Sequence, residues 1–151
     1  MNQIDPEIDD YLTRYAATLS AFDSTAAAQL WAIPGMIIDD RFAGVVDDRE
    51  TMAHSLEQAY PLYRELGLAS VSHECLNVEH LTTAISLVKV RWIFYGANGD
   101  QLTDSNAYYI VRRDDDGLHA CVCIQLDDAE KLRALAAEHD IDIDIAEYTR
   151  E

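Results

Sequence analysis

TTAISLVKVRWIFYG, Thr82–Gly96, decides the fold by the period of its apolar residues. In an extended chain Val88, Val90, Trp92 and Phe94 fall on one side, with Lys89, Arg91, Ile93 and Tyr95 on the other. One side is apolar and the other mixed, which is the pattern of a strand with one buried face. LASVSHECLNVEHL (Leu68–Leu81), QLTDSNAYYIVRR (Gln101–Arg113) and LHACVCIQL (Leu118–Leu126) have the same extended character. Ala97-Asn98-Gly99-Asp100 and Asp114 to Gly117 supply tight turns. Four long strands joined in sequence predict an antiparallel meander.

Upstream the period is helical. Asp5 and Pro6 start a helix with Ile8, Leu12, Tyr15 and Leu19 on one face. Asp23 and Ser24 cap a second, TAAAQLW, anchored by Leu30 and Trp31 and ended by Pro34 and Gly35. MIID (Met36–Asp39) reads as a short strand. Asp47 and Glu50 stand in capping-box spacing before a third helix carrying Met52, Leu56, Tyr60 and Tyr63, with Gly67 as its stop and a kink expected at Pro61. Downstream, Asp127 with Glu130 opens a helix through about His139 with Leu132 and Leu135 inward. The tail IDIDIAEY alternates as an edge strand would.

At 151 residues and 49% hydrophobic content the chain reads as one α+β domain, residues 1–151, with 127–151 its C-terminal helix and tail. Eleven basic against 28 acidic side chains, a net charge of -17, would repel a phosphate backbone or an anionic lipid surface, which argues against nucleic-acid and membrane partners. MNQIDPEIDDYL has neither the basic start nor the apolar core of a signal peptide, and no apolar run reaches the length of a membrane span, so a cytoplasmic protein is expected. Cys75, Cys121 and Cys123 are odd in number, and Cys121-Val122-Cys123 is one residue short of the usual redox or zinc spacing, so buried thiols in strands are expected. His73 and Cys75 would face one side of their strand and His80 the other, which leaves no metal site. Neither a phosphate loop nor a nucleophile elbow is present, and no cofactor is implied.

Helices on one face of such a sheet leave the other face uncovered. Its mixed character suits a homodimer through the sheet. The alternative, Lys89 and Arg91 turned inward as ligand contacts, would require paired anions in the core.

LTRYAATLSAFDSTAAAQLW, MIIDDRFAG followed by DDRETMAHSL, and YYIVRRDDDGLHACVCIQ, in this order, resemble the first two helices, the first strand with its following helix, and the last hairpin of the nuclear-transport-factor-2-like superfamily. The resemblance runs over roughly Tyr11 to Leu126. That superfamily includes ketosteroid isomerases, scytalone dehydratase, limonene epoxide hydrolase and SnoaL-type polyketide cyclases. It implies a cystatin-like α+β cone, in which helices and a concave sheet enclose an apolar pocket for a small hydrophobic molecule.

The resemblance also implies site residues. Asp40 falls where ketosteroid isomerases carry their general-base aspartate, and an acid delivered into an apolar pocket suits proton abstraction next to a carbonyl. Met36, Ile38 and Asp40 share one face of an extended chain and Ile37 and Asp39 the other, so one of the two carboxylates would face the pocket. Tyr15 is similar in position to the tyrosine that donates to the developing enolate. Where those isomerases hold a protonated aspartate as second donor, this chain has Tyr109, and two phenols can form an oxyanion site. Trp31, Tyr60, Tyr63 and Trp92 are expected as pocket walls. His73, or His119, is the histidine a dehydratase-like site would use. Three uses follow: a cofactor-independent isomerase or lyase acting by acid-base chemistry, a carrier of a small apolar ligand, and a dimerisation module with its pocket filled by aromatic rings.

Overall fold

The computed structural model describes residues 5–138. The four alternating stretches become β3 (Leu68–His80), β4 (Ile85–Gly96), β5 (Gln101–Asp114) and β6 (Gly117–Gln125), an antiparallel meander as their turns require. Gly99 and Gly117 take positive φ at those turns, 89° and 114°. Along β4 burial alternates without a break, Val88, Val90, Trp92 and Phe94 inward and Lys89, Arg91, Ile93 and Tyr95 outward. Arg91 and Lys89 therefore lie on the outward face. Arg91 Nε donates to Asp104 at 2.6 Å and Lys89 Nζ sits 5.5 Å from the Tyr108 ring centre.

β1 (Trp31–Asp39) and β2 (Phe42–Val46) extend the sheet to the order β2-β1-β6-β5-β4-β3. Here the structure departs from the sequence reading. Trp31 opens β1 rather than ending a helix, and the strand runs through Pro34 and Gly35, pairing parallel to β6 with an irregular register between Trp31 and Met36. Gly35 is needed there because a Cβ would stand 2.8 Å from Trp31 and 2.9 Å from Met52. MIID is one arm of a hairpin whose other arm is β2, closed by Asp40 and Arg41.

α1 (Pro6–Ser20) begins at Asp5, whose carboxylate accepts from Glu7 N and Ile8 N, and buries Ile8, Leu12 and Tyr15 against the sheet. α2 (Ser24–Gln29) is capped by Asp23. The expected third helix is two, α3 (Arg49–Glu57) and α4 (Tyr60–Glu65). Pro61 clashes with the carbonyl of Glu57 four residues back and has no N–H to offer it, so the ladder stops at Glu57 and Pro61 starts a new helix instead of kinking one. The cap of α3 is Asp48, accepting from Thr51 N at 2.7 Å, one residue beyond the expected Asp47 with Glu50. α5 (Asp128–Glu138) follows Asp127, whose carboxylate accepts from Asn106 N and Nδ2 at 2.7 and 2.9 Å and so ties the start of the helix to β5. The tail IDIDIAEY lies outside the described residues.

Cys123 is buried while Cys75 and Cys121 are half-buried, all three free thiols in strands. A bulge after Cys75 brings Val78 opposite Val88 and His80 opposite Ser86, so His80 shares the inward face with His73 and Cys75, contrary to the simple alternation. Among the described residues no helix is long and apolar enough to cross a membrane.

Replacing Gly35 with alanine should cost about 1–3 kcal/mol, because Trp31 and the backbone carbonyl of Ala32 cannot both yield. Chemical denaturation measures it, and an unchanged midpoint would mean that Trp31 has room to move.

Candidate functional site

Between α1, α3 and the inward face of β1, β4, β5 and β6 lies a cavity of about 130 Å³. Strand alternation builds most of its floor: Ser105, Ala107 and Tyr109 from β5, Cys123 and Gln125 from β6, Trp92 and Phe94 from β4. Tyr15 and Leu19 enter from α1, one helical turn apart. Phe42, Ser55 and Gln58 also line it, and the exposure of Gln58 marks its rim.

Four rings organise the interior. Trp31 Nε1 donates to the Tyr15 hydroxyl at 2.9 Å, and Trp92 Nε1 donates to the Tyr109 hydroxyl at 3.1 Å. The Tyr15 ring lies 5.6 Å from that of Trp92 and 6.1 Å from that of Tyr109, centre to centre. Each phenol oxygen accepts from an indole, which leaves its own proton to donate; that of Tyr109 is shared in a hydrogen bond with the sulfur of Cys123, a weak acceptor. Burial holds both phenols well above their ordinary pKa, so they are neutral donors rather than bases. The same burial pushes the Cys123 thiol up to about 12.

The expected site residues divide. Tyr15, Tyr109, Trp31, Tyr63 and Trp92 line the cavity together. Tyr60 is buried beside it, its ring against Phe22 and Tyr63, its hydroxyl without a hydrogen-bond partner among the described residues. His73 faces inward beside Trp92, but its Nε2 stands 2.8 Å from the Asp9 carboxylate, fastening α1 to β3 outside the cavity. His119 pairs with Asp114 at 2.9 Å near the β5–β6 turn.

Asp40 is exposed in the β1–β2 turn and borders an outer cleft, not the cavity. Asp39 shares the face of Ile37, a cavity residue, but its carboxylate closes the turn, accepting from Arg41 N at 2.8 Å. The missed residues are Asn106, Gln125 and above all Asp128, a buried acid that lines both the cavity and the cleft. Its signal was present in the sequence, since Asp128, Leu132 and Leu135 recur at helical spacing on the inward face.

Residues 5–128 match the family described as NTF2-like protein (DUF6841), and the chain belongs to that family. A search of curated proteins finds no match. Among solved structures, an NTF2-like protein of unknown function from Shewanella oneidensis is similar at 15% identity and a TM-score of 0.63, covering 81% of this chain and 98% of its own. A cystatin-like domain of unknown function from Nostoc punctiforme is similar at 14% identity and 0.64, covering 91% and 95%. A ketosteroid isomerase-like protein from Erwinia carotovora atroseptica is similar at 13% identity and 0.60, covering 83% and 97%. At these identities the likeness establishes the fold.

Because the buried phenols ionise only above their ordinary range, the unfolded chain releases those protons first as pH rises. Stability should be insensitive to these groups below about pH 10 and fall above it. Denaturation midpoints measured alongside tyrosinate absorbance test this: ionisation of Tyr15 and Tyr109 should accompany unfolding, and all eight tyrosines ionising near pH 10 in the folded protein would contradict it.

Proposed function

We propose that this NTF2-like chain uses its cavity to hold a small, neutral, ring-sized molecule bearing one carbonyl or phenolic oxygen, and that its chemistry is proton transfer next to that oxygen. The observation that carries this reading is the pair of phenols, each supported by an indole N–H within apolar walls. A ligand oxygen between them would accept two hydrogen bonds where water competes little, and those bonds strengthen as the oxygen gains charge in an enolate. A space of about 130 Å³ suits about one six-membered ring, below the usual range for larger ligands, so steroids are disfavoured. The exposed position of Asp40 favours a second reading, a carrier that binds such a ligand without converting it.

The outward sheet face, with Tyr108, Ile110, Ile93 and Tyr95 partly exposed, supports a homodimer. Sedimentation should find a dimer at micromolar concentration, and a monomer there would remove it.

Thermal-shift and calorimetric titration with phenol and cyclohexanone should show saturable binding. Tyr15→Phe and Tyr109→Phe should each weaken it by about 0.5–1.5 kcal/mol. Failure of every ring-sized ligand to bind a cooperatively folding protein would overturn the cavity reading.

A further inference from the structure

We propose that Asp128 is the proton-transferring carboxylate of this cavity. The inference rests on the cavity taking a carbonyl ligand as proposed above, and it assigns the catalytic acid-base role to α5 instead of the β1–β2 turn.

Three observations converge on this residue. First, of the chain's 28 acidic side chains, Asp128 is the one that is buried among the described residues, at 8% exposure. A carboxylate at the first position of a helix is favourable in open solvent, so a capping role alone does not require burial. Second, Asp128 lines the same one-ring space as Tyr15 and Tyr109. A ring that fills so small a space meets all its walls, so a ligand whose oxygen reaches the phenols also lies against Asp128. Third, residues on either side of Asp128 are tied to β5 through their side chains. Asp127 accepts twice from Asn106, and Lys131 Nζ stands 2.8 Å from Asp104 Oδ1, itself held by Arg91. Such anchoring holds a reacting group in place. Asp39 and Asp40, by contrast, border the outer cleft and not the cavity.

The step balances without any co-reactant. The Asp128 carboxylate takes a proton from the carbon next to the carbonyl, and the C–H electron pair becomes the carbon–carbon double bond of the enolate. The carbonyl π pair moves onto oxygen, where the Tyr15 and Tyr109 hydroxyls donate to it. Asp128, now protonated, either exchanges that proton with solvent and delivers the solvent's to the same carbon, giving exchange, or returns it to a conjugated carbon, giving isomerisation. The substrate class is a small cyclic ketone or enone. Gln125 and Asp128 border both cavity and cleft, so the acid also stands where a ligand would pass inward.

The test follows exchange of the α-protons of cyclohexanone in heavy water by NMR, with phenol affinity measured in parallel on the same proteins. Wild type should accelerate exchange over protein-free buffer. Asp128→Asn should lose about 100-fold or more of that rate while still binding phenol, and Asp128→Glu should recover part of it. Phenol binding with exchange unchanged in Asp128→Asn overturns the inference and leaves the cavity reading standing, as does wild type that binds phenol but exchanges nothing. Loss of exchange in Asp40→Asn, with Asp128→Asn unaffected, overturns it in favour of the β1–β2 turn. Wild type that binds no phenol fails the cavity reading itself and the inference with it. Should Asp128→Asn not fold, Asp128→Ser, smaller and polar, is read in the same way.

Discussion

The inward face of the sheet is covered largely by rings whose polar ends must be satisfied away from water, and much of the architecture follows from that requirement. Tyr11 donates to the Leu30 carbonyl at 2.6 Å and accepts from Ala120 N, joining α1 to the point where β1 meets β6. Tyr15 accepts from Trp31 at the start of β1, and Tyr109 from Trp92 on the neighbouring strand. An unpaired hydroxyl or indole at any of these positions would cost about 1–3 kcal/mol, so the rings are held in one arrangement. That arrangement fixes where α1 lies on the sheet and brings two phenol oxygens to one space.

Charge is sorted outward by the same logic. Arg91 with Asp104 and Lys131, Arg113 with Glu7, and His73 with Asp9 bind helices to strands or strands to one another at the edges of the fold, where water shares the cost of each ion. These pairs clamp α1 and α5 to the sheet without entering its apolar interior. Against that background Asp128 is set apart by its place, buried on the inward stripe of α5 beside the cavity.

The fold is largely legible in the sequence. The period-two pattern of Val88, Val90, Trp92 and Phe94 survives because one face of β4 is buried along its whole length, and the meander follows from its turns. The departures are local contests decided by distant contacts. Trp31 has helical spacing with α2, yet its indole is taken by Tyr15, and the backbone there is recruited by β6. Asp47 and Asp48 are equally good caps on paper, and only the path of the chain out of β2 selects Asp48. The bulge after Cys75, which moves His80 to the inward face, has no marker in the residues around it.

The candidate site shows the same division. By itself the sequence placed Tyr15 and Trp92 on apolar faces, because helical and strand periods assign a face from spacing alone, while Tyr109 entered only through the family resemblance. It also contained the stripe that turns Asp128 inward. Only the tertiary structure decided that these faces close on one cavity, that the indoles occupy the acceptor side of the phenols, and that Asp40 stands in a turn at its edge. The reason is physical: a face is a property of neighbouring residues, whereas convergence depends on the register between strands and the seating of helices, which are settled by packing between residues far apart in the chain.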